Sequence, residues 1–208
     1  QPAQPGPPVT TYAFPSITPT EMSIGVISNT RAFTSPFTGA IQTAERGGAR
    51  LKLRMVFANL SGADRQDMIA FLTKLNGMEH RFTVRDYGHT QRGTFGGTPL
   101  VKGAGQTGAT LLIDGCTAGV TNWIRAGDQF QVGTELKIST ADANSNGSGE
   151  VTLSFRSKLR TSPADNAPIT ISSPVGLWML TQPYSGLRHD VHLGLPRIRP
   201  PGRLDGGV

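Results

Sequence analysis

The stretch "GAGQTG" at 103–108 has the G-x-G-x-x-G spacing with which backbone amides close around a dinucleotide's pyrophosphate, provided a strand enters the turn and a helix leaves it. The residues that follow, "ATLLIDG", are strand-like and reach Gly115 in seven positions, which leaves no room for a phosphate-binding helix. Asp128 stands 20 residues beyond Gly108, where such a fold carries its ribose-binding acid. Without the helix that spacing is coincidence. A phosphate loop fails as well, because no Lys-Ser or Lys-Thr pair follows the glycines. The motif therefore predicts a hinge and turn, with no nucleotide cofactor.

Other reactive residue types are equally unsupported by their neighbours. His189 and His192, with Asp190 between them, could share a metal across one helical turn, but "RHDVH" reads as a strand, which sends positions 189 and 192 to opposite faces. His80 and His89 flank another expected strand without a matched acid or cysteine cluster. The single cysteine, Cys116, has no internal partner for a disulfide and sits among Asp114, Gly115, Thr117 and Gly119, a setting for a small turn or core residue rather than a nucleophile. No G-x-S-x-G elbow occurs. A carboxylate pair for sugar hydrolysis would show only in three dimensions. The expectation is a protein without catalytic residues, metal or cofactor.

The elements that would carry these residues follow from composition and periodicity. In 208 residues, 26 Gly and 15 Pro against 16% charged side chains favour turns and short strands over long helices. The net charge of +6 is spread without a run of five like charges, so a solvated basic surface is the ordinary reading. No apolar run approaches the ~20 residues that span a bilayer, and the Pro-rich start lacks a signal peptide's apolar core; membrane insertion is not expected. "QPAQPGPPVTTYAFPSITP" predicts an extended arm whose Tyr12, Phe14 and Ile17 dock on its own domain or on a neighbouring subunit.

"RLKLRMVF" at 50–57 alternates with period two and predicts a strand with Leu51, Leu53, Met55 and Phe57 inward. A helix follows, with Ser61 as N-cap, a stripe of Met68, Phe71, Leu72 and Leu75, and Gly77 just past its end. "HRFTVRDYG" returns as a strand with Phe82 and Val84 on one face. From 91 to 108 the composition shifts to Gly and Thr, marking entry into a second lobe near 95. Five short runs then read as strands: 98–102, 110–114, 128–132, 135–140 and 150–155. "ADANSNGSG" is expected as an exposed hairpin loop, and "ITISS", "LWML" and "RHDVHLGL" as strands completing the first lobe. The terminal "LPRIRPPGRLDGGV", with Arg197, Arg199 and Arg203 among prolines, suits an extended tail or an anchor to an acidic partner. The fold class is thus mainly β: a β-sandwich lobe with one α-helix (1–95 and 165–208) and an inserted, small five-stranded barrel (96–164).

The segment "FPSITPTEMSIGVISNTRAFTSPFTGAIQTAERGGARLKLRMVFANLSGADRQDMIAFLTKLNGMEHRFTVRDYG", followed by "IRAGDQFQVGTELK", resembles the distal tail (baseplate hub) proteins of long-tailed bacteriophages over about two thirds of the chain. The resemblance implies a structural virion protein: a homohexameric ring built from β-sandwich lobes. That ring would join the tail tube protein to the tail tip and hub proteins, with DNA passing through its lumen. Synthesis in the host bacterial cytoplasm and a final place at the virion's tail tip go with it. Some members of that family insert an oligosaccharide/oligonucleotide-binding (OB) barrel, and 96–164 has the matching size and strand number. In such a barrel "AGDQFQVGTELK" forms a tight hairpin with Asp128 capping the turn. No catalytic residue carries over, and the "RHDVHLGLPRIRPP" end departs from the family pattern.

A second reading makes the barrel a binding module for nucleic acid or a host-surface glycan. Its candidate surface is basic: Lys102, Arg125, Lys137, Arg156, Lys158 and Arg160. Against nucleic acid, the barrel's aromatics, Phe95, Trp123, Phe130 and Phe155, are few enough for the core to consume.

Overall fold

The computed structural model describes residues 8–45 and 48–182. In chain order the elements are β1 (Thr11–Ala13), β2 (Glu21–Ile27), β3 (Thr30–Thr34), β4 (Ile41–Glu45), β5 (Arg50–Val56), α1 (Gly62–Leu75), β6 (Arg81–Arg85) and β7 (Gly97–Val101). They continue as β8 (Thr110–Cys116), β9 (Gln129–Val132), β10 (Glu135–Ile138), β11 (Val151–Ser154), β12 (Ile169–Thr170) and β13 (Val175–Trp178). Among the described residues the protein is mainly β with a single helix, as its glycine and proline content predicts.

The first lobe forms around the elements with the clearest periodicity. β5 pairs antiparallel with β2 from Glu21↔Val56 to Ile27↔Arg50. Leu51, Leu53 and Met55 turn to one side and Lys52 and Arg54 to the other, as alternation requires. α1 begins where Ser61 Oγ accepts the Asp64 amide at 3.2 Å, satisfying one orphan N–H of the first turn. It ends where the glycine predicts, with Asn76 as C-cap and Gly77 just past it. Asn76 already takes the left-handed conformation, φ 47°, and Gly77 continues it; asparagine tolerates that region better than most side-chain-bearing residues. The buried stripe is Met68, Phe71 and Leu75, while Leu72 sits half-buried at its edge.

These helical residues pack with Ile17, Phe82, Val84 and Trp178 in one cluster. The strands beneath are β1, β6 and β13: β1 runs parallel to β6, and β13 runs antiparallel on its other side. The described part of the N-terminal arm therefore docks on its own lobe. Phe14 anchors it, with its ring stacked 5.9 Å from Phe57 and edge-on to Phe71 at 5.2 Å. β13 places "LWML" in this lobe, as expected, with Trp178 Nε1 donating to the Val84 carbonyl at 3.3 Å.

The middle of the chain is a barrel. β7, β8 and β11 form one sheet and β10, β9 and β12 another. The bridges Ser139↔Phe155 and Leu100↔Pro168 join the two sheets at both seams, closing the order β7–β8–β11–β10–β9–β12 back to β7. All five expected strands are present. The sixth, β12, comes from "ITISS", which pairs with β9 through Ile169↔Val132 and not with the first lobe. The reason is apolar: Ile169 fills the barrel interior beside Val101, Leu111, Ile113, Trp123, Phe130, Val151, Leu153 and Phe155. Side chains from Phe95 through Ile171 contribute to this core.

Most of "ADANSNGSG" is exposed, as its composition predicts, but it is not a free hairpin loop. It folds back over one end of the barrel, bridging Ala143 to Ile124 and burying Ser145. Its polar side chains act as backbone acceptors: Asn144 Oδ1 takes the Asn122 amide at 2.7 Å, and Asn146 Oδ1 takes those of Ser148 and Glu150, each at 2.9 Å. The close crossing of β7 and β8 needs glycine. A Cβ on Gly97 would lie 2.3 Å from the Gly115 carbonyl oxygen.

The two lobes interlock. Leu136, on barrel strand β10, packs in the first lobe's cluster beside Trp178 and not in the barrel's own core. At the point of entry Gln91 Nε2 donates to the carbonyls of Gln129 and Ile171, 2.7 and 2.8 Å away, tying incoming and outgoing chain to β9.

Candidate functional site

The glycine motif is a turn between strands. Gly103, Gly105 and Gly108 have φ of 83°, 81° and 90°, and β8 starts two residues after the last of them, where a dinucleotide fold needs a helix. Gln106 fixes the turn from within. Its Nε2 donates to the carbonyls of Lys102 and Leu112 at 2.8 and 2.9 Å, and its Oε1 accepts the Leu112 amide at 2.7 Å.

Asp128 is likewise a structural acid. Fully buried, its carboxylate accepts the amides of Arg92, Gly93 and Arg125 at 2.7, 2.8 and 2.8 Å. The bond from Arg125 is the expected turn cap. The other two, which sequence spacing does not reveal, bind the chain entering the barrel to the 125–128 turn. Gly93 allows the approach, since a Cβ there would meet the Trp123 carbonyl oxygen at 2.5 Å.

The histidines and cysteine have local partners. His80 accepts the Thr10 amide and lies edge-on to Tyr12 at 5.7 Å; His89 Nε2 lies 2.9 Å from Gln91 Oε1. Among the described residues no group of three or more His, Cys, Asp or Glu side chains gathers as a metal site would require. Cys116 is buried, and burial together with the Asp114 carboxylate pushes its thiol up to about 12, the reverse of what a nucleophile needs. His189, Asp190, His192, Arg197, Arg199 and Arg203 lie outside the described residues.

The six basic residues of the barrel do not form one surface. Lys102 pairs with Glu150 at one end. Arg125 is exposed on the turn that Asp128 holds. Lys137 is not on the surface: it is 2% exposed, and its Nζ donates to Glu135 Oε2 at 2.7 Å and to the carbonyls of Ser157 and Lys158 at 2.8 and 3.1 Å. The same ammonium lies over the Phe155 ring, 5.2 Å from its centroid. Only Arg156, Lys158 and Arg160 converge, on the segment that Lys137 anchors. Of the aromatics, Trp123, Phe130 and Phe155 are buried in the barrel core, so no base could stack on them.

Two apolar features lie at the first lobe. β3 and β4 pair from Thr30↔Glu45 to Thr34↔Ile41 and extend the β2–β5 ribbon, with all of their residues exposed. Phe33 is 56%, Ile41 67% and Phe37, in the turn, 95% exposed. With Val26 and Ile27 they account for half of the ten strongly exposed large apolar residues among those described, a concentration on one element that scattered surface residues would not show. Sequence reading missed this hairpin; its signal was the Pro- and Gly-punctuated "SPFTG" between "RAFT" and "AIQTAE".

The second feature is a cleft of about 510 Å³ between β5, α1 and the end of β13, lined by Leu51, Leu53, Met55, Phe57, Leu72 and Leu180 among others. The inward face of β5 is therefore only half covered by its own chain. No protein-family model matches the chain, and no curated protein matches it.

Proposed function

We propose that the chain is a non-enzymatic assembly protein, a ring-forming subunit of the distal tail of a long-tailed bacteriophage. The observation that carries this reading is the β3–β4 ribbon. A two-stranded ribbon with no packed face is marginal in water by itself, and this one displays Phe33, Phe37 and Ile41 to solvent. A second copy supplies what the ribbon lacks. The cleft beside β5 is apolar where the ribbon is apolar, and the two surfaces are different parts of one chain. A contact between them is head-to-tail, the type that propagates around a ring when its rotation closes. The resemblance of residues 14–88 to distal tail proteins supplies the expected number, six, and the neighbours, a tail tube protein and the tail tip proteins.

Light scattering on the purified full chain tests the proposal. The expected result is a mass several times that of one chain for the wild type and a monomer for Phe37→Asp, with both proteins equally stable to denaturant. Substitutions at sites this exposed usually change stability by less than about 0.5 kcal/mol. A wild type that stays monomeric at high concentration would overturn the reading.

A further inference from the structure

A cleft of about 280 Å³ opens where the ribbon meets the barrel, lined by Glu45, Gly48, Ala49, Arg50, Arg156, Lys158, Leu159 and Arg160. Among the described residues four cations and one acid line this space, and the acid is engaged: Glu45 Oε2 pairs with Arg156 at 3.3 Å. The next acid along the wall, Glu135, shares the neighbouring cavity with Arg50 and Arg160. It is engaged too, by the Lys137 ammonium at 2.7 Å and by the amides of Arg160 and Thr161 at 3.1 and 3.2 Å. The side chains of Arg50, Lys158 and Arg160 are exposed and take part in no ion pair among the described residues.

Three like charges brought to one concavity repel one another, by about 1 kcal/mol per close pair at water-like screening. The fold nonetheless builds this arrangement from two lobes: β5 supplies Arg50, and the segment after β11 supplies the others, held by the buried Lys137 through the Ser157 and Lys158 carbonyls. A ligand carrying several negative charges would relieve the repulsion. Arginine is the side chain suited to such a ligand when it is phosphate, because its planar fork donates to two oxygens at once.

We infer that the cleft at the junction of ribbon and barrel binds the phosphate backbone of nucleic acid. Among the described residues no aromatic side chain lines it, so the contact is made to phosphates and is independent of base sequence. Open, separately mounted cations also suit a phosphodiester chain better than one small ion, because each neutralised phosphate of a polymer releases condensed counterions. This inference does not rest on ring formation, since both walls of the cleft belong to a single chain.

Fluorescence anisotropy of the full chain with two labelled DNA duplexes of unrelated sequence tests it. Lys158→Glu/Arg160→Glu is compared with Lys74→Glu, an exposed cation on α1 that does not line the cleft, and inorganic pyrophosphate serves as competitor. The expected result is equal affinity for both duplexes at low salt and a loss of about tenfold or more in the double variant. The salt dependence should fall by roughly one unit of slope per lost phosphate contact. Lys74→Glu should bind within about twofold of wild type, as expected for a charge that contacts no phosphate. Equal weakening by Lys74→Glu would reduce the effect to net charge and overturn the inference. So would the absence of duplex binding, or pyrophosphate binding more tightly than DNA.

Discussion

Glu135 and Lys137, two residues apart on one face of β10, form an ion pair of 2.7 Å in which the lysine is 2% exposed. The ammonium completes its shell with two carbonyls of the segment that carries Lys158 and Arg160. Glu135→Gln leaves a buried charge facing neutral partners and should destabilise the protein by about 3 kcal/mol, read from denaturant unfolding. The variant also has a pH signature. Burial lowers the Lys137 pKa below its ordinary 10.5, against the pull of Glu135 in the opposite direction. In the window just below 10.5 the unfolded chain holds the proton that the folded chain gives up, so this residue's contribution to stability rises with pH there. Removing Glu135 widens the window downward. Stability of Glu135→Gln should therefore climb towards that of wild type as pH rises through the alkaline range, and a constant gap would contradict this account.

Cys116 titrates with the opposite sign. Its folded thiol is raised from 9.0 to about 12, so its contribution is complete below pH 9 and is lost as pH rises through that interval. The loss approaches about 1.4 kcal/mol per pH unit. Cys116→Ala should flatten the alkaline decline. In the native wild type the thiol should stay unreactive towards a disulfide reagent at neutral pH and become fully titratable in denaturant. Rapid native labelling would show that the barrel opens near β8.

Asp128 gives a sharper test of how the barrel is held. Asparagine in its place keeps one acceptor oxygen and turns a donor towards amides that are themselves donors. Losing a buried charged acceptor in this way should cost about 3 kcal/mol, lowering the denaturation midpoint with an unchanged slope. A loss under about 1 kcal/mol, the worth of an ordinary hydrogen bond, would mean that the three bonds are not made together in solution.

Elements were legible in the sequence where one residue pattern had one structural solution. Period two in "RLKLRMVF" and the capped stripe of α1 specify their elements locally, and the five barrel runs are short apolar stretches cut by Gly and Asn. Residues 169–170 were misplaced because a two-residue strand carries no periodicity; which core receives Ile169 is settled by available volume and not by neighbours in sequence. The hairpin of β3 and β4 went unread because its apolar residues face solvent, so no amphipathic pattern marks it. The basic cluster was half legible. Lys137 has the same charge as Lys158 but ends up inside the barrel wall, and Arg50, some hundred positions upstream of the others, meets them only through the docking of the lobes.

That docking depends in part on Leu136, which leaves its own barrel to seat against Trp178. Mechanically it is a peg. A pull applied at the tip of the ribbon travels down β5 into the hydrophobic cluster that grips this leucine, so the barrel must move with the ribbon instead of swinging on its two connecting strands.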